Sequence, residues 1–184
     1  MRGYFGIGVE GVSKALNVGS LFRTAHAFGA SFVFTVAADY SRGGGFRADT
    51  SDAPGQVPFY SFPDVASMLL PEGCRLVGVE LLDDAVALPV FPHPPTAAYV
   101  LGRERGALTP AMLERCDHVV RIPTRFCVNL AVAGAIVMYD RLLSGGRFGQ
   151  RPLMTGAEAA APEAHRHGGP RFRSAERMER YREG

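Results

Sequence analysis

Two polar residues near the amino terminus, Asn17 and Arg23, are placed where side chains can bind a ligand. They lie in Leu16–Gly29, whose apolar spacing predicts a helix that stops at Gly29. The preceding apolar run, Tyr4–Val9, is typical of a strand. An amide and a guanidinium at a strand-to-helix junction suit recognition of a phosphate or a hydroxyl, because arginine donates several hydrogen bonds from one planar group. A capped amphipathic helix with a surface arginine explains these residues equally well.

A second candidate segment begins with Gly102-Arg103-Glu104, directly after the predicted buried strand Ala98–Leu101. A glycine at this point lets the main chain approach a ligand closely. Glu104 could act as a general base, accept hydrogen bonds or pair with an arginine. The segment lacks the glycine spacing of dinucleotide-binding and triphosphate-binding loops, which disfavours those ligands. A surface loop at a strand end is the simpler alternative.

The third segment passes from a loop at Pro123 into the predicted helix Val128–Leu143, which is rich in small and apolar residues. Its alanines and Gly134 permit very close packing against other main chain. Asn129, in the first turn, is typical of a residue that satisfies backbone groups at a helix start. Cys127 is either a nucleophile or a buried or pocket-lining thiol, and the lack of a histidine paired with it in sequence favours the second interpretation.

Strands and helices alternate along the chain, which predicts an α/β fold with a mainly parallel sheet and helices on both faces. Ligands of such sheets bind beyond the carboxyl ends of the strands. The loops at Glu80, Gly102 and Pro123 therefore become candidates for one shared pocket. Besides the segments above, we predict strands at Ser31–Val36, Arg75–Leu81 and His118–Ile122, helices at Asn17–Phe28, Pro63–Leu70 and Thr109–Cys116, and a loop at Asp39–Pro58. Thr109 is predicted to cap the amino terminus of the last of these helices.

Composition is typical of one globular domain with a tail: 184 residues, 47% of them hydrophobic, with a net charge of +2. We expect a domain at residues 1–147 and a flexible Arg/Glu-rich tail at 148–184, whose arginines either contact RNA phosphates or are simply solvated. No apolar run approaches the ~18 residues that cross a membrane. The three cysteines predict reduced thiols in the cytosol, and His165 and His167 are not expected to bind metal.

Taken together and in this order, the three segments resemble the motifs of the SPOUT superfamily, specifically of the TrmH-type tRNA/rRNA 2'-O-ribose methyltransferases. Asn17 to Gly29 is similar to the first motif, Gly102-x-Glu104 to the second, and Asn129 with its small-residue helix to the third. The resemblance extends from about Gly3 to Leu143.

The resemblance implies a carboxyl-terminal trefoil knot and a homodimer formed through the knot region, with the site near the subunit interface. It also implies S-adenosylmethionine as cofactor and an RNA substrate, with tRNA favoured over rRNA. The lack of a long apolar run predicts no membrane association, and the reduced cysteines predict a cytoplasmic location. The implied cofactor-binding residues are Val79, Glu80, Gly102, Ile122, Cys127 and Val128.

The implied catalytic residues are Arg23, Asn17, Glu104 and Asn129. Arg23 corresponds to the family's catalytic arginine, and Asn17 would position Arg23 or the target ribose. Because arginine is ordinarily protonated at neutral pH, Arg23 either acts as a base with help from a substrate phosphate or orients the hydroxyl and stabilises its developing negative charge. Glu104 and Asn129 would complete the polar wall.

Two alternatives are a non-catalytic knotted RNA-binding module and an RNA base methyltransferase. The sequence also departs from the family pattern in the cofactor region. Ala107 stands where the second motif usually has glycine, and Cys127 stands where the third usually has serine.

Overall fold

The strands of the described chain form a single sheet. The computed structural model describes residues 3–11, 15–38, 56–103 and 106–146. Its strands are β1 (Tyr4–Glu10), β2 (Phe32–Val36), β3 (Phe59–Phe62), β4 (Arg75–Val79), β5 (Val86–Ala87), β6 (Thr96–Leu101) and β7 (His118–Arg121). Its helices are α1 (Ala15–Phe28), α2 (Pro110–Arg115) and α3 (Leu130–Ser144), with a 3-10 turn at Leu88–Val90.

Across the sheet the strands lie in the order β3-β2-β1-β6-β4-β7-β5, and every neighbouring pair is parallel. All seven strands therefore end at the same side of the sheet, the carboxyl edge, and begin at the opposite side, the amino edge. None of the described helices is long and apolar enough to cross a membrane.

Side chains at alternating strand positions build one apolar layer on each face of the sheet. On one face, Phe5, Ile7 and Val9 of β1 pack in a core with residues of α1 and α3. On the other face, Phe34 of β2 packs in a second core with Met112 of α2. The prediction of a mainly parallel sheet with helices on both faces is therefore confirmed.

Glycines in β1 make room for the second of these layers. A Cβ atom on Gly6 would lie 2.3 Å from the Phe32 ring, and one on Gly8 would lie 2.5 Å from Phe34. Together with Gly11, these residues have the Gly-x-Gly-x-x-Gly spacing of a dinucleotide-binding loop. That loop follows a strand, whereas Gly6 and Gly8 lie inside β1, so packing accounts for both.

The predicted strands and three of the four predicted helices are confirmed to within two residues at each end. The short edge strands β3 and β5 were not predicted from the sequence pattern. The helix predicted at Pro63–Leu70 is wrong, because Ser67 N donates to Asp64 Oδ1 at 2.7 Å and Ser67 Oγ donates to Asp64 O at 3.0 Å, which closes a turn instead. Most of the predicted loop (residues 39–55) and the predicted tail (148–184) lie outside the described residues.

Helices α1 and α3 run side by side in the same direction. Asn129 Nδ2, at the start of α3, donates to Asn17 Oδ1 in the first turn of α1 at 3.2 Å. Farther along, a Cβ atom on Gly134 would lie 2.2 Å from Leu21 Cδ1. Gly134 therefore allows the close helix packing that the small-residue pattern predicts.

At the amino edge, α3 is held by Arg141, which is only 9% exposed. Its guanidinium donates to the carbonyl oxygens of Tyr4, Pro94 and Pro95 and to the Tyr99 hydroxyl, over distances of 2.7–3.2 Å. A buried charge is tolerated when its hydrogen-bonding capacity is met, as it is here. This contact joins the end of α3 to the starts of β1 and β6.

The same hydroxyl continues the network to His93. Tyr99 Oη lies 2.6 Å from His93 Nδ1, and His93 Nε2 lies 2.9 Å from Asp140 Oδ2. A neutral His93 with its proton on Nε2 satisfies every partner, because Arg141 donates to Tyr99, Tyr99 to His93 and His93 to Asp140. Burial is the largest influence on this imidazole and lowers the pKa of His93 despite the nearby Asp140 carboxylate.

This lowered pKa predicts a pH-dependent stability. The unfolded chain binds a proton at His93 more readily than the folded chain, so the free energy of unfolding should fall as the pH drops below the ordinary histidine pKa of about 6.5. We expect the wild type to lose more stability than His93→Gln between pH 7.5 and pH 5, as measured by urea unfolding at each pH. Equal losses would contradict a neutral His93.

Candidate functional site

A pocket of about 360 Å³ opens at the carboxyl edge, where β4, β6 and β7 end. Because β4 lies between β6 and β7, the segments that follow all three strands meet there. The volume falls within the ~300–1,000 Å³ typical of small-molecule sites. The lining residues are Val79, Glu80, Leu81, Leu101, Gly102, Arg103, Gly106, Ala107, Ile122, Thr124, Cys127, Val128, Leu130 and Ala133.

Every residue predicted to bind the cofactor lies in this lining. They are Val79, Glu80, Gly102, Ile122, Cys127 and Val128. The sequence analysis placed them in three separate loops, and the strand order brings these loops to one pocket. Their binding roles stay a prediction.

Glu80, the first residue after β4, holds the main chain of the pocket wall. Its Oε2 accepts a hydrogen bond from Leu108 N at 2.8 Å, and its Oε1 accepts one from Leu81 N at 3.0 Å. Glu80 and Arg103 carry the charges among the described lining residues. Because the Glu80 carboxylate is occupied by two amides, its immediate effect is to shape the wall.

Gly102 lies where that wall crosses the end of β6. A Cβ atom at this position would lie 2.9 Å from Leu108 N and 3.1 Å from Glu80 Oε2. The obstacle is therefore main chain and a hydrogen-bonded carboxylate, neither of which can move cheaply. The glycine predicted from sequence is required by this close approach of two chain segments.

Glu10, at the end of β1, is a feature that the sequence analysis missed. It is only 4% exposed, and its two oxygens accept hydrogen bonds from Thr109 N at 2.9 Å and Thr109 Oγ1 at 2.6 Å. Thr109 also caps α2, as predicted, by accepting from Met112 N at 3.2 Å. Glu10 could have been identified from the sequence, because it is the one acidic residue at the end of an otherwise apolar strand.

The start of α3 forms another wall of the pocket through Leu130 and Ala133. Asn129 caps this helix, since its Oδ1 accepts from Ala131 N at 2.9 Å and from Val132 N at 3.4 Å. Its Nδ2 donates to Asn17, as described above. Asn129 thus has the structural role expected of it and also connects the pocket to α1.

Two of the four predicted catalytic residues are in direct contact, namely Asn17 and Asn129. Arg23 lies on the exposed side of α1, six positions after Asn17, which places the two side chains roughly 120° apart around the helix axis. Arg23, Asn17 and Asn129 do not line the pocket. Glu104 lies outside the described residues.

The three cysteines are free thiols, as predicted. Burial raises the pKa of Cys116 to about 11 and also raises the pKa of Cys74, so both stay protonated at neutral pH. Cys127 is exposed and lines the pocket. This position favours the pocket-lining interpretation of Cys127.

Comparison with protein families matches residues 5–139 to the SpoU rRNA Methylase family. No protein of curated function matches the chain.

Solved structures with a similar fold include AviRb, a SpoU methyltransferase from Streptomyces viridochromogenes in complex with the cofactor AdoMet. It is 20% identical, with a TM-score of 0.70 over 80% of this chain and 63% of that one. An AdoMet-bound rRNA methyltransferase from Sinorhizobium meliloti is 20% identical, with a TM-score of 0.68 over 78% of this chain and 57% of that one. The TrmH/SpoU tRNA modifying enzyme of A. aeolicus is 18% identical, with a TM-score of 0.64 over 80% of this chain and 77% of that one. This chain spans less than two thirds of the first two proteins.

Because Gly102 lies so close to the main chain at Leu108, one added methyl group should have a large effect on stability. Gly102→Ala should lower the free energy of unfolding by about 1–3 kcal/mol, because the added carbon overpacks the main chain at Leu108. Gly106→Ala is the matched control in the same wall, since its Cβ atom would meet only the side chain of exposed Arg103, at 2.7 Å from Nε. Urea unfolding should show a much smaller loss for Gly106→Ala, and equal losses would contradict this explanation of Gly102.

Proposed function

The chain belongs to the SpoU rRNA Methylase family, and from that premise we propose that it transfers a methyl group from S-adenosylmethionine to a ribose 2'-hydroxyl of RNA. The main support for this proposal is that the segments after β4, β6 and β7, which are separate in sequence, line one pocket at the carboxyl edge. Ligands of parallel α/β sheets bind at this edge.

The residues of the pocket fit the cofactor in chemistry. Val79, Leu101, Ile122 and Val128 offer an apolar surface for a flat adenine ring. Gly102 lines the pocket without a side chain, so its main chain can hydrogen-bond the polar edges of a ligand. When bound, S-adenosylmethionine supplies a methyl group on a positively charged sulfur, which a hydroxyl oxygen can attack.

We assign the substrate side of the site to the starts of α1 and α3. The Asn17–Asn129 hydrogen bond holds these two helix starts together, and helix amino termini attract anions such as RNA phosphates. Arg23, exposed on α1, orients the 2'-hydroxyl and stabilises its developing negative charge. Holding the hydroxyl in line with the methyl group would supply much of the rate.

Among RNA substrates we favour tRNA over rRNA. This preference follows from the family resemblance, and it is supported by the similar fold of the A. aeolicus TrmH/SpoU tRNA modifying enzyme.

We further propose that the chain from β6 onward is threaded as a trefoil knot. Its support is the insertion of β6 between β1 and β4, and of β7 between β4 and β5.

A homodimer is supported by an apolar strip on the outer side of α3. Val132, Ile136 and Tyr139 follow helical spacing and are 50%, 36% and 43% exposed, and Phe126 just before the helix is 76% exposed. Leu16 of α1, next to Asn17, is 68% exposed. These residues would be buried against a second copy of the chain.

If the apolar strip on α3 forms the dimer interface, one charge placed within it should separate the subunits. Val132→Glu should convert a particle of twice the 19.8 kDa chain mass into a monomer, as measured by light scattering. Leu69→Glu, at a residue that is 77% exposed and distant in sequence from the strip, should leave the dimer intact. A wild-type monomer would contradict the proposed dimer.

The catalytic assignment predicts that Arg23→Ala lowers methyl transfer to tRNA by roughly 100-fold or more, because a donor to the developing oxyanion is lost. Cofactor affinity should be unchanged, since Arg23 does not line the pocket. Arg75→Ala, which breaks an exposed ion pair with Asp117 at the amino edge, is the control and should retain activity.

Transfer of a radiolabelled methyl group, followed by nucleoside analysis of the RNA, measures both rate and product. A normal rate in Arg23→Ala would remove Arg23 from the mechanism. A methylated base in place of a 2'-O-methyl ribose would overturn the proposed reaction.

A further inference from the structure

Two carboxylates accept hydrogen bonds from the pocket wall between β6 and α2, one from each side. Glu80, after β4, accepts from Leu108 N, and Glu10, at the end of β1, accepts from the amide and the hydroxyl of Thr109. Strands β1 and β4 are the two neighbours of β6. The wall that follows β6 is therefore fixed at two consecutive residues, one to each neighbouring strand.

Capping of α2 does not explain the contact with Glu10. The cap requires only that Thr109 Oγ1 accept from Met112 N. The same hydroxyl also donates a hydrogen bond to Glu10 Oε1 at 2.6 Å, a short distance that is typical of a charged acceptor. Glu10 is thus an additional, buried connection between residues 99 positions apart in the chain.

The connection through Glu10 bears on function because Glu10 lies at the end of β1, the strand that leads to α1. Gly11 follows with a φ of +62°, and the chain then leads to α1, which carries Asn17 and Arg23. A Cβ atom on Gly11 would lie 3.6 Å from Arg103 Cδ, so the end of β1 lies close to this residue of the pocket lining. Glu10 therefore joins the strand that leads to the proposed substrate side to the wall of the proposed cofactor pocket.

We propose that Glu10 is a positioning residue, which fixes the Gly106–Thr109 wall of the pocket relative to β1 and so sets the geometry in which the cofactor is bound. The proposal rests on the proposed function, because it assigns the cofactor to this pocket. Glu10 acts through Thr109 and does not line the pocket itself.

The test uses two readouts on the full chain. One is the Kd for S-adenosylmethionine by calorimetry, and the other is the rate of trypsin cleavage after Arg103 or Arg105, followed by mass spectrometry. We expect Glu10→Gln to weaken cofactor binding about tenfold and to speed this cleavage about tenfold, because the wall loses part of its anchor while the Glu80 contact remains.

Asp117→Asn is the matched control. The Asp117 carboxylate likewise accepts from a main-chain amide, Leu76 N at 2.8 Å, but at the amino edge of the sheet. It should lower stability without changing either readout. If Asp117→Asn and Glu10→Gln change both readouts equally, the effect of Glu10 is general destabilisation and the proposal is wrong.

Variants of Thr109 keep the test decisive if changes at Glu10 prevent folding. Thr109→Ser retains the hydroxyl and should resemble the wild type, whereas Thr109→Val should behave like Glu10→Gln in both readouts. Equal behaviour of Ser and Val would overturn the proposal. A wild type that binds no cofactor would overturn the proposed function, and the cleavage rates would still decide whether Glu10 anchors the wall.

Discussion

The close packing of main chain at the carboxyl edge is the constraint on which the pocket depends. After β6 the chain turns across the strand ends, and the amides of Leu108 and Thr109 must find acceptors there. A buried donor left without one costs about 1–3 kcal/mol. Glu80 and Glu10 supply these acceptors, and Gly102 leaves the space that the turn needs. The pocket is what remains between this turn, the end of β7 and the start of α3.

Helix α3 connects this edge to the rest of the molecule because it is held at both ends. Its first residues line the pocket, and Asn129 joins them to α1. Its last turn carries Arg141, which is bound to carbonyl groups at the amino edge. Between the two ends Gly134 allows close contact with Leu21. A helix fixed at both edges of the sheet gives the proposed substrate and cofactor sides a common rigid support.

The sequence predicted the features that arise from local chemistry. Periodicity located the core strands, Thr109 was identified as a cap, and the strand-end loops were expected to meet. The failures have physical causes. Asp64 and Ser67 form a turn through their own side chains, which overrides the helical spacing at Pro63–Leu70. Glu10 was missed because its partner lies 99 residues away in the chain.

The central claim is that S-adenosylmethionine binds in the pocket at the carboxyl edge. Titration of the isotope-labelled chain with the cofactor, followed by amide NMR, tests this most directly. Saturable shifts should concentrate at the ends of β4, β6 and β7 and at the start of α3, with the amino edge around His93 unaffected. The absence of shifts at millimolar cofactor, or shifts centred on the amino edge, would contradict the claim.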